Sequence, residues 1–246
     1  NRHVTGPPPT VQHAMAYDSQ RSVSVLFGGI LEGGHLVGTT WEWNGTEWAH
    51  RVASGPSSRV QHAMTFDSAR GVTVLFGGYR WSSGGIGDTW EWGGRAWIQR
   101  LVTGRSPRYG HGMTFDSLRG VTVLFGGYVG PLTPSGETWE WDGRAWALRE
   151  VAGPPPRAQH AMVYDEARHV TILFGSSNYD NSTWEWDGGE WSERSVMGPY
   201  SRGSHTMVWD ERRSETLLFG GWGSDGYMGA LWALDTPCMA PALIGP

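Results

Sequence analysis

The chain has 246 residues, 39% of them hydrophobic and 17% charged, with 37 Gly and 14 Pro, a balance that fits many short strands and tight turns. A formal net charge of −5 offers no basic field for nucleic acid, and no apolar run reaches membrane-spanning length, so neither nucleic acid nor membrane insertion is expected. The one cysteine, Cys238, excludes an internal disulfide framework, and the lack of Lys beside 19 cationic residues reads as base-composition bias.

Taken in chain order, the elements repeat. His13, His62, His111, His160 and His205 mark one register, and Phe27, Phe76, Phe125, Phe174 and Phe219 mark another; both series step by 49, 49, 49 and 45. A period near fifty with several strand-like runs per unit means a radial or stacked array. The second repeat shows the unit. Val60 to Phe66 is a first strand, ending at the turn-forming cluster Asp67-Ser68-Ala69-Arg70-Gly71. Val72 to Phe76 is a continuous apolar run, as expected of a strand buried on both faces, and stops at Gly77-Gly78. A variable loop follows. Thr89 to Trp92 then alternates, a short turn intervenes, and Ala96 to Arg100 returns. The same turn reads Asn44-Gly45 in the first repeat and Asp142-Gly143 in the third, both strong hairpin signals. Each repeat is therefore a four-stranded antiparallel meander. The expected repeats span 7–55, 56–104, 105–153, 154–198 and 199–236, with 1–6 added to the last.

These residues resemble the kelch repeat: a hydrophobic run closing in a double glycine, then a spaced aromatic pair. The glycines are Gly28-Gly29, Gly77-Gly78, Gly126-Gly127 and Gly220-Gly221, with Gly175-Ser176 departing in the fourth repeat. The aromatic pairs are Trp43 with Trp48, Trp92 with Trp97, Trp141 with Trp146, and Trp186 with Trp191. The resemblance covers nearly the whole chain. It implies an all-β, five-bladed β-propeller of four-stranded antiparallel blades, in a single domain over 1–236. It implies no single activity, because kelch propellers include binding modules, sugar-related enzymes and oxidases.

The fifth repeat has Leu231 to Asp235 as its third strand, and no Trp-bearing fourth strand follows. The exit segment Arg2-His3-Val4-Thr5-Gly6-Pro7 matches Arg51 to Pro56, so the N-terminal strand is expected to complete the last blade and close the ring. The alternative is a fourth strand from Met239 to Leu243, where two nearby prolines would cost ladder bonds unless the strand lies at an edge. On the preferred reading, 237–246 is a Pro-rich tail or linker, consistent with one module of a secreted or cell-surface assembly.

Recurring charges read mainly as scaffold. Glu42, Glu91, Glu140 and Glu185 stand between the Trp residues, on the opposite strand face, and need partners. Arg2, Arg51, Arg100, Arg149 and Arg194 in the fourth strand, and Arg21, Arg70, Arg119, Arg168 and Arg213 after the first turn, are expected to supply them. A further set, Arg59, Arg108, Arg157 and Arg202, precedes the His by three. These guanidinium groups either converge at a channel mouth as a carboxylate or phosphate site, or make structural contacts to backbone or a neighbouring blade. Metal binding by the His series is disfavoured, and no cofactor or catalytic residue is expected.

The loops between second and third strands differ in every repeat and are the better functional ground. They carry Tyr79, Arg80 and Trp81, then Tyr128, then Tyr179 and Asp180, then Trp222, Asp225 and Tyr227. Tyr and Trp among Gly, Ser, Asn and Asp suit binding. The expected function is a module that recognises a protein, peptide or carbohydrate ligand through these loops. The alternative is a propeller enzyme, a hydrolase, isomerase or cyclase, acting on a sugar or peptide derivative at the channel mouth.

Overall fold

The expected four-strand period is present five times. The computed structural model describes residues 6–102, 104, 106–178, 180–195, 198–224 and 226–234, with the backbone of 239–241; among these there is no α-helix. The first sheet runs Ala14–Asp18, Val23–Phe27, Thr40–Trp43, Trp48–Arg51, each strand antiparallel to the next. The second runs Ala63–Asp67, Val72–Phe76, Thr89–Trp92, Trp97–Arg100 in the same order. The third and fourth begin at Gly112–Asp116 and Ala161–Asp165 and keep that order.

The fifth sheet corrects one expectation. Thr206–Asp210, Glu215–Phe219 and Leu231–Leu234 are followed by Met239–Pro241, which pairs with Leu231–Leu234 through Trp232↔Pro241, Ala233↔Ala240 and Leu234↔Met239. The fourth place therefore belongs to part of the segment read as a linker, and not to the N-terminal strand. A proline is admissible there because an edge strand pairs on one side only. Arg2 to Thr5, called as the closing strand, lie outside the described residues. The segment beyond them keeps its repeat-like packing: Gly6 lies against the indole of Trp48, as Gly55 lies against Trp97 and Gly153 against Trp191.

The first strands begin later than the sequence suggests. Ala63, not Val60, opens the second sheet, because Gln61 has φ +54°. Gln12, Gly110, Gln159 and Ser204 take the same left-handed conformation at equivalent positions. At three of these turns the amide donates to the equivalent residue of the preceding repeat: Gln61 N–H to Gln12 O (3.2 Å), Gly110 N–H to Gln61 O (2.8 Å), and Ser204 N–H to Gln159 O (2.8 Å).

By internal contacts the chain divides into two compact units, Asn1–Gly110 with Val129–Thr133 and Trp141–Trp146, and His111–Tyr128 with Pro134–Glu140 and Ala147–Pro246. In the first unit, Ala16, Val25 and Phe27 pack on Met64, Leu75, Trp92 and Trp97 of the second sheet. In the second unit, Val123 and Phe125 pack on Met162, Leu173, Trp186 and Trp191, and Ile172 and Phe174 pack on Met207, Leu218 and Leu234. Each such side chain taken fully out of water contributes about 1.5–3 kcal/mol, so these seams hold the sheets together.

Indole donors bolt the same seams. Trp92 Nε1 donates to Glu42 Oε1 (2.8 Å) and Trp97 Nε1 to Thr40 Oγ1 (2.8 Å). Within the first unit Trp141 and Trp146 repeat this on Glu91 and Thr89. Within the second, Trp186 and Trp191 repeat it on Glu140 and Thr138. The expected structural pairing of Glu with Arg is present: Glu42 accepts from Arg21 Nη1 (2.7 Å) and Arg51 Nε (2.8 Å). The Phe-Gly-Gly motif has its reason here too. Gly28 has φ +69°, and a Cβ on it would meet the Arg59 carbonyl oxygen and the His62 ring, each at 2.8 Å.

Candidate functional site

The sequence places Tyr79 at the start of a variable loop, and the backbone ties it down at once. Tyr79 N–H donates to Val60 O (2.8 Å) and Val60 N–H donates to Tyr79 O (3.2 Å). Tyr79–Arg80 then pairs with Gly84–Gly85 as a short hairpin, which lifts Trp81 to its tip. Downstream, Gly78 N–H donates to Arg108 O (2.9 Å) and Arg108 N–H to Ile86 O (3.1 Å), fixing the backbone on either side of the next link. That link presents Tyr109. Its ring centroid lies 4.9 Å from that of Tyr79, and Tyr79 lies 5.3 Å from Trp81 in an edge-to-face contact.

These three rings form one wall of an open cleft of about 470 Å³ in the first unit. Val60, Gln61, Gly84 and Gly85 continue the wall, and Gly130, Pro131 and Leu132 line it as well. Trp81 is 59% exposed and Leu132 73% exposed, large apolar surface turned to solvent at the rim. Leu132 also has φ +57°, a conformation that costs a Cβ-bearing residue roughly 1–2 kcal/mol. Among the described residues the cleft lining contains no charged side chain.

Two expected site residues, Tyr79 and Trp81, thus come together. Arg80 sits half-buried in the same hairpin and is not part of the lining. Tyr109 was missed. Its signal was the position between Arg and His, which reads Val11, Val60, Tyr109, Ala158 and Gly203 through the repeats and so varies like a loop. The remaining loop residues lie in the second unit. Tyr128 is half-buried, its hydroxyl 2.8 Å from Ser177 Oγ. Trp222 pairs with Tyr227 in a two-residue hairpin, with Tyr227 almost fully exposed. Tyr179 and Asp225, also named from the sequence, lie outside the described residues.

The four arginines of the set are buried, as the structural-contact alternative has it. Arg59 is fully buried: both terminal nitrogens grip the Asp88 carboxylate (2.5 and 3.0 Å), and Nη1 and Nε also donate to Gly77 O and Ser57 O. Arg157 is likewise buried on Gly175 O, Pro155 O, Asp180 Oδ2 (3.0 Å) and Ser182 Oγ. Arg202 is buried against Tyr200 O and Gly220 O, and Arg108 is buried with Nε on Ser106 O. Each guanidinium donates to at least one carbonyl of its own repeat, and Arg59 and Arg157 also hold a carboxylate there. Asp180, expected in a binding loop, is one of these carboxylates. Burial pushes its carboxyl up, but hydrogen bonds from Ser182 and the Arg157 charge outweigh it and hold the pKa below the usual range.

His62, His160 and His205 are buried as well. His62 Nε2 lies 3.1 Å from Phe27 O, so it must be the protonated nitrogen, and the ring packs edge-on to Phe27. Burial and the charge of Arg59 push its pKa down to about 3. His160 and His205 pack edge-on to Phe125 and Phe174 and are also pushed down to about 3, chiefly by burial. Among the described residues no cluster of His, Cys, Asp and Glu is arranged to hold a metal ion.

No protein-family model matches the chain, and no curated protein matches it. Among solved structures it is similar to one titled "Structure of YjhT", a known propeller protein, with a TM-score of 0.74 over 95% of this chain and 84% of that chain, at 13% identity. At that identity the likeness bears on fold alone. The fold is β-propeller-like, built from four-stranded antiparallel sheets.

Proposed function

We propose that this protein is a ligand-binding propeller module of the kelch type, with five blades, that takes a peptide or carbohydrate through the cleft at Tyr79, Trp81 and Tyr109. The observation that carries this reading is the cleft itself: three touching aromatic rings, open to solvent, on loops that change from repeat to repeat while the scaffold does not. Scaffold aromatics such as Trp92 and Trp141 are buried and hydrogen-bonded, whereas Trp81 is built the opposite way. An enzyme reading asked for arginines and loop acids converging on one pocket. Arg59 with Asp88, and Arg157 with Asp180, are instead spent on each other.

The test is a paired peptide and glycan array screen with the wild-type chain and Trp81→Ala. Truncating an exposed ring at a binding hot spot costs 2 kcal/mol or more, about thirtyfold in affinity. Trp81 is exposed, so the variant keeps its thermal midpoint. Binding indifferent to Trp81→Ala would remove the cleft from consideration.

A further inference from the structure

We infer that the ligand of this cleft is an uncharged, proline-rich peptide segment in the polyproline II conformation, an inference that rests on the binding-module reading above. Three observations lead there. First, the rings form a row, Tyr109 to Tyr79 to Trp81, with successive centroids 4.9 and 5.3 Å apart. That row is at most about 10 Å long, and one turn of polyproline II, three residues at about 3.1 Å each, spans about 9 Å. Aromatic faces and edges of this kind suit contact with pyrrolidine rings.

Second, the polar chemistry of the lining is sparse and of one kind. Among the described residues the lining has no Asp, Glu, Arg or His; its side-chain polar groups are the Gln61 amide, one of whose N–H bonds goes to Gln12 Oε1 (3.3 Å), the Trp81 indole N–H and the tyrosine hydroxyls. A polyproline II backbone carries bare carbonyl acceptors and, at each proline, no N–H, so a few donors set among aromatic rings satisfy it. A pyranose presents several hydroxyls, each donor and acceptor, and burying them here would leave most without a partner, at about 1–3 kcal/mol apiece.

Third, the lining includes Pro131 and the exposed Leu132, held at φ +57°. An apolar side chain kept in solvent by a strained backbone is a cost without return in the free protein. It is repaid when the side chain packs on an apolar ligand. A segment that is already extended loses little entropy on docking, which suits a shallow site with few hydrogen bonds.

The experiment is an array of short Pro-x-x-Pro peptides with uncharged x, each beside its Gly-x-x-Gly counterpart, and a glycan array run in parallel on the same protein. Hits are followed by fluorescence anisotropy with wild type, Trp81→Ala and Leu132→Asn. Asn tolerates the left-handed conformation, so the last variant keeps the backbone and removes only the apolar group. The expected result is binding of Pro-x-x-Pro peptides at least tenfold tighter than their glycine counterparts, lost by tenfold or more in Trp81→Ala and several-fold in Leu132→Asn. Equal binding of the proline and glycine forms overturns the inference. Glycan binding that depends on Trp81, with no proline-peptide binding, overturns the ligand class and leaves the cleft reading standing. Absence of any Trp81-dependent binding on either array overturns both.

Discussion

At the residue scale the most heavily committed group is the repeated glutamate. Glu42 is almost fully buried and receives three charged or polar donors, from Arg21, Arg51 and Trp92. Burial raises its pKa, but the hydrogen bonds from Trp92 and Arg21 and the Arg21 charge outweigh that and hold the carboxyl below the usual range. Glu42→Ala strands all three donors, and breaking a buried pair costs about 3–5 kcal/mol. Arg21 and Arg51 keep roughly a third or more of their side chains in water and recover part of that loss, so the expected destabilisation is about 3 kcal/mol. Glu42→Gln keeps an acceptor and loses the charge, for about half as much. Urea unfolding of the three proteins checks the order; equal midpoints for wild type and Glu42→Ala would show that the seam does not depend on this carboxylate. The pairing was legible in the sequence, because an acid recurring beside two Trp residues has to be satisfied. The Arg59 series was only half legible: the spacing left a channel-mouth site and a backbone contact open, and the structure shows Arg59 and Arg157 holding carbonyls and a carboxylate of their own repeats.

At the scale of elements the repeat acts as its own control. Phe174 and Phe219 hold the same place in the fourth and fifth sheets, yet Phe174 is fully buried and Phe219 is 51% exposed. The first sheet shows the complementary difference, with Met15 45% exposed where Met64, Met113, Met162 and Met207 are buried. Phe174→Ala is expected to cost about 3–5 kcal/mol, the range for a phenylalanine removed from a packed core. Phe219→Ala is expected to cost about 1 kcal/mol, since half its surface is already in water. Thermal unfolding of the two single variants decides; similar losses would mean that Phe219 is covered in solution. Sequence gives these two residues identical standing, because periodicity reports the place in the repeat and not what packs against it. For the same reason it recovered the inner strands of each sheet and missed two boundaries. The left-handed residue before each first strand is a glycine only at Gly110, and Gln12, Gln61, Gln159 and Ser204 carry no such signal. The last strand is written in prolines, which spell a linker everywhere except at an edge.

At the scale of the whole chain, the array multiplies any property of a single repeat, and the buried histidines show it most directly. The cleft was half legible: loop variability pointed to Tyr79 and Trp81, Tyr109 stood at a variable position that went unread, and folding brings Leu132 to them. The buried members of the histidine series have a consequence for pH. His62, His160 and His205 have pKa values of about 3 in the folded chain against an ordinary 6.5. Between those values an unfolded chain binds protons at these sites and the folded chain does not. Stability is therefore complete above about pH 6.5 and is lost progressively as pH falls toward 3, by about 1.4 kcal/mol per pH unit for each histidine. Three such sites give a slope of about 4 kcal/mol per unit in the middle of the interval, against a total stability of roughly 5–15 kcal/mol. The depressed carboxylates, Glu42 and Asp88 among them, add a loss of the same sign at lower pH. The protein is expected to unfold near pH 4–5, with the urea midpoint falling steadily from pH 6.5 downward. His160→Gln with His205→Gln should flatten that slope by about two thirds, even if the double variant is less stable at neutral pH, because slope and intercept are separate readouts. A urea midpoint constant from pH 6.5 to 4.5 in the wild-type chain would contradict neutral burial of these imidazoles.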